Sequence, residues 1–169
     1  MDATHSSVAI AAVSEGLYDA DMPSFAVRAA RPSDHPALFG LLSELLDRPL
    51  SAEVAAALNT NLLRVLSTPG SALLVAAEEG VLLGFVSLWS RWGLFEQAPT
   101  GVVDCLIVAR AYQASAVPHA LLEQALGACQ AMGCTRVEFV PIEVSLVPNE
   151  ALEGFGFVRS AERFGLEVR

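Results

Sequence analysis

One acidic residue lies inside an apolar segment, where its type and position suit acid–base chemistry. Asp104 is the one charged residue between Gly101 and Val108, a run that the sequence predicts to be a β-strand. Burial disfavours the charged form of a carboxylate, so a carboxylate in apolar surroundings is a suitable general base. The other interpretation is structural: an Asp at a strand bulge or at a sheet end, satisfied by hydrogen bonds. The sequence leaves both interpretations open.

The elements that must position Asp104 follow one another in a regular order. We interpret residues 1–23 as a flexible N-terminal arm. From there the pattern predicts a strand, two helices, three strands, a helix, a strand, a short helix and a terminal pair of strands. The predicted strands are Phe25–Ala29, Ser71–Ala77, Val81–Trp89, Gly101–Val108, Arg136–Val140, Phe155–Val158 and Phe164–Val168, and a helix is predicted from Pro118 to Met132. No repeat or linker divides residues 24–169, so we predict one domain there.

Three segments occur in an order and spacing that resemble a known family. They are Phe25–Asp34, Gly84–Leu88 and Asp104–Val108. They look like the opening, third and fourth strands of the GNAT superfamily, the acyl-CoA-dependent N-acyltransferases, and the resemblance runs from Phe25 to the C-terminus. It implies an α/β (α+β) fold with a mixed, mostly antiparallel central sheet of about six or seven strands, flanked by about four helices.

The segment after the Asp104 strand resembles the cofactor-binding turn of that family, whose pattern is Q/R-x-x-G-x-G/A. Gln113 occupies the first position, whereas Ala116 and Pro118 stand where the family usually has glycine and then glycine or alanine. The resemblance implies acetyl-CoA or another acyl-CoA as co-substrate, and no metal. The residues that it implies for co-substrate binding are Leu106, Ile107 and Val108 on the strand, and Gln113, Ala114, Ser115, Ala116, Val117, Pro118 and His119 on the turn.

The resemblance also implies how a reaction would run. Family members often have a glutamate base at the position of Asp104, and often have a tyrosine near the C-terminus that protonates the departing thiolate. Alignment on Gly156-Phe157 puts Leu152 at the tyrosine position, and an alignment that starts from Asn149 provides no tyrosine either. The general acid is therefore not identified, although a thiolate is a tolerable leaving group without one.

An aromatic loop follows the predicted third strand. On the implied fold it borders the acceptor site, so Trp92, Phe95 and Glu96 are candidate substrate-binding residues, with Glu96 able to hold an ammonium group. The alternative is that the loop forms a dimer contact or a lid over the sheet. We therefore keep a homodimer open as an assembly.

Composition limits the partners and the compartment. The 169 residues carry a formal net charge of −9 and no lysine. This charge disfavours nucleic acid and anionic membranes as partners, and it suits a small cationic amine. No apolar run approaches the ~18 residues of a membrane helix. Cys105, Cys129 and Cys134 lack metal-ligand spacing and predict free thiols in the cytoplasm.

We therefore predict a cytoplasmic acetyltransferase of the N-acyltransferase class, which passes an acetyl or longer acyl group from CoA to a small amine by direct attack. The alternative is a catalytically degenerate GNAT-fold domain that binds a ligand or a protein partner. The retained strand–turn–helix arrangement favours the enzyme, whereas Ala116, Pro118 and Leu152 favour the alternative. The sequence does not specify the acceptor, the acyl chain length or the oligomeric state.

Overall fold

A five-stranded sheet forms the centre of the computed structural model, which describes residues 24–140 and 149–159. The strands are β1 (Ala26–Ala29), β2 (Ser71–Glu78), β3 (Val81–Arg91), β4 (Thr100–Val108) and β5 (Arg136–Phe139). They lie in sequence order, and each pair of neighbours is antiparallel except the parallel pair of β4 and β5. The predicted mixed, mostly antiparallel α/β architecture is confirmed.

Among the described residues, four α-helices accompany the sheet: α1 (His35–Leu45), α2 (Ala52–Ser67), α3 (Val117–Ala131) and α4 (Asn149–Gly154). Leucines of α1 and α2 form a core with Phe85 and Ile107 on one face of the sheet. The apolar side of α3 forms a second core with Val86 and Leu106 on the opposite face. In the part of the chain that the structure describes, no helix has the length and apolar character needed to cross a membrane.

The number of strands is lower than the predicted six or seven within residues 24–140 and 149–159. The predicted strand Phe155–Val158 is a turn followed by irregular chain. The amides of Phe155 and Phe157 both donate to the Leu152 carbonyl, and Gly156 has a φ of 84°. These backbone N–H groups bond within the turn that ends α4, so they are not available to pair with a neighbouring strand. The predicted strand Phe164–Val168 and the predicted arm 1–23 lie outside the described residues.

Two glycines allow α3 to approach the sheet closely. A Cβ atom on Gly84 of β3 would lie 2.7 Å from the Ile107 carbonyl oxygen and 3.1 Å from Leu121 Cδ1. A Cβ atom on Gly101 of β4 would lie 2.5 Å from Cys129 Sγ. Leu121 and Cys129 are fully buried and lie ~12 Å apart along the helix. The sheet therefore fixes α3 at two points, and with it the turn that precedes α3.

Candidate functional site

Asp104 is the extra residue of a β-bulge in the middle of β4. Ser87 pairs with Cys105 and Leu88 pairs with Val103, so Asp104 has no residue of its own opposite it on β3. The Ser87 hydroxyl donates a hydrogen bond to Asp104 Oδ1 at 2.6 Å, and Asp104 is half-buried. Within residues 24–140 and 149–159 it has no cationic partner. The carboxylate is held by one neutral donor and keeps acceptor capacity for a substrate proton.

The bulge and the general-base interpretation of Asp104 are compatible. A bulge interrupts the strand ladder and re-aims one side chain, which is why bulges are common next to active sites. Val86 belongs to the core beneath α3, and Phe85 belongs to the core beneath α1 and α2. Because side chains alternate along a strand, Ser87 lies on the same face as Phe85. The Asp104 side chain accepts a hydrogen bond from Ser87 and therefore lies on the same face of the sheet, the α1/α2 face.

The strand residues that the family resemblance assigns to the co-substrate have buried side chains. Leu106, Ile107 and Val108 all belong to the two cores. Any contact with a ligand would therefore use their backbone groups. Within residues 24–140 and 149–159, β5 pairs with residues Thr100–Val103, which form the first half of β4.

The turn between β4 and α3 is held together by its own side chains. Gln113 Nε2 donates to the Val108 carbonyl at 3.3 Å and so ties the turn to the end of β4. The Ser115 hydroxyl donates to the Tyr112 carbonyl at 2.7 Å and accepts from the Val117 amide at 3.2 Å. Gln113 and Ser115 thus shape the turn, and their side chains are engaged within it.

The observed turn does not require the glycines of the family pattern. Ala116 caps α3 with a φ of −71° and a ψ of −9°, which is the right-handed region that any residue adopts without strain. Pro118 is the second residue of α3, where helix amides have no partner within the helix. Proline therefore costs no helical hydrogen bond there. It removes one of the amides that a bound anion would otherwise contact.

Several amides remain at the start of α3. In the described part of the chain, the backbone N–H groups of Ala114, Ala116 and His119 have no hydrogen-bond partner. Exposed amides and the helix dipole at a helix N-terminus favour an anion. These amides make the turn a candidate site for an anionic group, although Pro118 contributes no amide to it.

The side chain of His119 lies against a neighbouring segment. Its ring centroid is 4.5 Å from that of Phe155, in the turn that ends α4. The contact joins the start of α3 to the end of α4. The imidazole of His119 thus takes part in packing, while its backbone amide remains available for a ligand.

Trp92, Phe95 and Glu96 lie in the loop between β3 and β4, at the opposite end of β4 from the turn before α3. Trp92 is 67% exposed and Phe95 is 95% exposed. Glu96 Oε2 accepts a hydrogen bond from the Gly93 amide at 2.9 Å, so this carboxylate stabilises its own turn. The acceptor contacts of these three residues stay a prediction.

The thiols of Cys105, Cys129 and Cys134 are poor nucleophiles. Burial and the Asp104 carboxylate raise the pKa of Cys105 to about 12. Burial, with a smaller contribution from Cys134, raises the pKa of Cys129 to about 11, and burial also raises the pKa of Cys134. All three cysteines are free thiols, as predicted. Because the thiolate is the reactive form, these pKa values disfavour an acyl-cysteine intermediate.

Sequence reasoning does not identify Ser87. It is the one hydroxyl-bearing residue in the apolar run Leu82–Leu88, which is a signal that can be read from the sequence. Its pairing with Asp104 depends on the register of β3 and β4 and on the bulge. That register is a long-range property that periodicity within one strand does not specify.

A family comparison gives the class of the protein. The profile of the Acetyltransferase (GNAT) family matches residues 37–156, which is well over half of the chain and includes Asp104 and the turn before α3. The chain therefore belongs to the GNAT acetyltransferase family. No curated protein sequence matches it.

Solved structures share the fold at low sequence identity. A transcriptional regulator from Bacillus halodurans C-125 has a TM-score of 0.75 and 13% identity, over 85% of this chain and 99% of that one. A putative acetyltransferase from Agrobacterium tumefaciens str. C58 has a TM-score of 0.71 and 20% identity, over 85% and 99%. The aminoglycoside N-acetyltransferase AAC(6')-Iy in complex with CoA has a TM-score of 0.71 and 14% identity, over 86% and 95%.

Proposed function

We propose that the protein is an N-acyltransferase that transfers an acetyl or longer acyl group from CoA to a small amine. The observation that carries this proposal is Asp104, a half-buried carboxylate with one hydroxyl partner, on the strand that leads to the amides of the α3 turn. At ~3.3 Å per residue, about 13 Å of β4 separates Asp104 from Val108. A co-substrate bound at the turn and lying along β4 would bring its acyl group toward Asp104.

In the proposed reaction the amine nitrogen attacks the thioester carbonyl carbon directly. The new N–C bond forms, the C–S bond breaks, and CoA leaves as the thiolate. An acceptor that arrives as an ammonium ion first gives one proton to Asp104, directly or through one water, and then attacks as the neutral amine. The second proton leaves the nitrogen for water as the C–S bond breaks. Cys105 is the thiol beside Asp104, and burial raises its pKa to about 12, which is consistent with direct attack rather than an acyl-cysteine. The departing thiolate takes its proton from water, because the leucine at position 152 has none to give.

The proposed acceptor is a small amine because two charge properties favour a cation. The chain has a net charge of −9, and Asp104 has no cationic partner within the described residues. The similar fold of a protein described as an aminoglycoside N-acetyltransferase supports an amine acceptor. Acceptor contacts by Trp92, Phe95 and Glu96, a homodimer and a cytoplasmic location are further parts of this proposal.

A ligand-binding or partner-binding domain without catalysis is the second candidate. Pro118 lacks an amide at the proposed anion site, and Leu152 cannot donate a proton. The similar fold of a protein described as a transcriptional regulator supports this candidate. Fold alone does not decide between the two functions.

Calorimetry and kinetics test the enzyme proposal. We expect acetyl-CoA to bind the full chain. Asp104→Asn should lower kcat by about 10²-fold or more with an unchanged Kd for acetyl-CoA, because only the proton acceptor is lost. Asp47→Asn is the matched control, since Asp47 is an exposed carboxylate paired with Arg110. No binding of acetyl-CoA at millimolar concentration would exclude the enzyme, and full activity of Asp104→Asn would exclude Asp104 as the base.

A further inference from the structure

Trp89 is an aromatic residue that is left uncovered on the central strand of the sheet. It lies in β3, between β2 and β4, yet it is 44% exposed. Its cross-strand partner Val102 is 3% exposed. An exposed aromatic ring within a sheet face is an apolar surface that a ligand can cover.

Trp89 shares its face of the sheet with the Asp104 carboxylate. Side chains alternate along β3, so Trp89 follows Ser87 on the α1/α2 face. The Ser87 hydroxyl is bonded to Asp104, the bulged residue that precedes its cross-strand partner Cys105 on β4. Diagonal neighbours on paired strands are ~7–8 Å apart, within reach of a large aromatic side chain. The indole ring and the carboxylate are therefore diagonal neighbours on this face of the sheet.

Among the described residues, the other charges at this end of the same face form one cluster of two arginines and one glutamate. Glu138 of β5 lies 3.5 Å from Arg91 and 3.5 Å from Arg136. Asp104, in contrast, is bonded to a neutral hydroxyl and has no cation beside it within residues 24–140 and 149–159. A ligand with a positive charge and a flat apolar body complements both Asp104 and Trp89.

We propose that Trp89 and Asp104 form the acceptor subsite, and that the acceptor is a primary amine joined by a short link to a flat apolar body. The body stacks on the indole ring of Trp89, and the ammonium group lies between the ring and the carboxylate. The catalytic meaning of this subsite rests on the proposed function. Its occupancy by an amine can be measured without turnover.

Fluorescence can assign binding to one tryptophan, because the chain contains two of them, Trp89 and Trp92. Trp92→Phe leaves Trp89 as the sole indole, and Trp89→Phe leaves Trp92. Each full-length variant is titrated with 2-phenylethylamine, with and without CoA, which carries no acyl group to transfer. We expect a saturable change in Trp92→Phe, in which Trp89 is the sole indole.

Two smaller probes separate the contributions of charge and apolar body. Ethylamine has the charge without the ring, and 2-phenylethanol has the ring without the charge. We expect 2-phenylethylamine to bind at least about tenfold more tightly than either, since it alone contacts both Trp89 and Asp104. By calorimetry, Trp89→Ala should weaken the binding of 2-phenylethylamine by about tenfold, whereas Val81→Ala, at an exposed position at the other end of β3, should leave its affinity unchanged.

Three results would overturn the subsite: a saturable signal only from Trp92, no saturable signal in either variant, or equal affinity for the three probes. Circular dichroism establishes that each variant is folded, and Trp89→Phe keeps an aromatic ring if Trp89→Ala does not fold. If acetyl-CoA binds and 2-phenylethylamine does not, the subsite is wrong and the proposed function stands. If 2-phenylethylamine binds at Trp89 and acetyl-CoA does not bind, the proposed function fails and the subsite stands.

Discussion

The Ser87–Asp104 hydrogen bond is the single contact on which the proposed chemistry most depends. It joins a hydroxyl on β3 to the bulged residue of β4, and it fixes one carboxylate oxygen. The other oxygen remains to accept a proton. Ser87 is therefore a positioning residue, which acts through the carboxylate that it holds.

Removal of the Ser87 hydroxyl should reduce turnover, and it should do so only because Asp104 is held less well in position. We expect Ser87→Ala to lower kcat by about tenfold with an unchanged Kd for acetyl-CoA, because a hydrogen bond to a charged group is lost. Ser87→Thr, which keeps the hydroxyl, should retain more activity. A double-mutant cycle with Asp104→Asn checks the mechanism. If Ser87→Ala lowers kcat equally in the Asp104→Asn background, Ser87 does not act through Asp104.

At the scale of elements, the proposed site depends on where α3 begins. The turn before α3 is tied to β4 by Gln113, and the helix lies against the sheet at Gly84 and Gly101. The helix start can therefore be probed in two ways: through its amides and through its contact with the sheet.

The missing amide of Pro118 should weaken anion binding by a measurable amount. Pro118→Ala restores an N–H group at the second position of α3, so we expect acetyl-CoA to bind about threefold to tenfold more tightly. Pro36 occupies the second position of α1 and provides a matched control. Calorimetry should show that Pro36→Ala leaves acetyl-CoA binding unchanged. Equal affinity of wild type and Pro118→Ala for acetyl-CoA would show that the Pro118 position is not part of the anion site.

The close contact of α3 with β3 should make Gly84 intolerant of a side chain. Gly84→Ala places a Cβ against the Ile107 carbonyl oxygen and Leu121, and we expect it to lower the free energy of unfolding by about 1–3 kcal/mol. Gly127 lies within α3, and a Cβ atom added there would meet nothing within 4 Å beyond its own helix. Gly127→Ala should raise the free energy of unfolding by about 0.5–1 kcal/mol. Urea denaturation measures both, and a neutral Gly84→Ala would contradict the close approach.

At the scale of the whole molecule, the net charge of −9 should act oppositely on the two substrates. It repels anionic acetyl-CoA and attracts a cationic amine. Raising the ionic strength from about 0.01 M to about 0.1 M shortens the screening length from about 30 Å to about 10 Å. We expect acetyl-CoA to associate faster and 2-phenylethylamine to bind more weakly, as stopped-flow and calorimetry can measure. Neutral 2-phenylethanol is the control, and a shift of both substrates in the same direction would contradict the argument.

Local patterns predict most of the fold but only part of the site. Apolar spacing and turn residues are properties of neighbouring positions, so the hairpin at Glu79-Gly80 and the end of α3 before Gly133 follow from the sequence. The bulge at Asp104 depends on pairing with a strand far away along the chain. For the same reason, the contact of Asp104 with Ser87 and the common face with Trp89 cannot be predicted from the sequence alone.

The two glycines beneath α3 have a consequence for how the protein can vary. The helix is fixed by Leu121 and Cys129, several residues beyond its start, so its position does not depend on the turn that precedes it. Substitutions in that turn therefore change the hydrogen-bond donors that a ligand can contact, while the position of the helix on the sheet is kept. Ala116 and Pro118 are such departures from the family pattern. Residues at these positions can change in evolution, and with them the affinity for a ligand, without the loss of the fold.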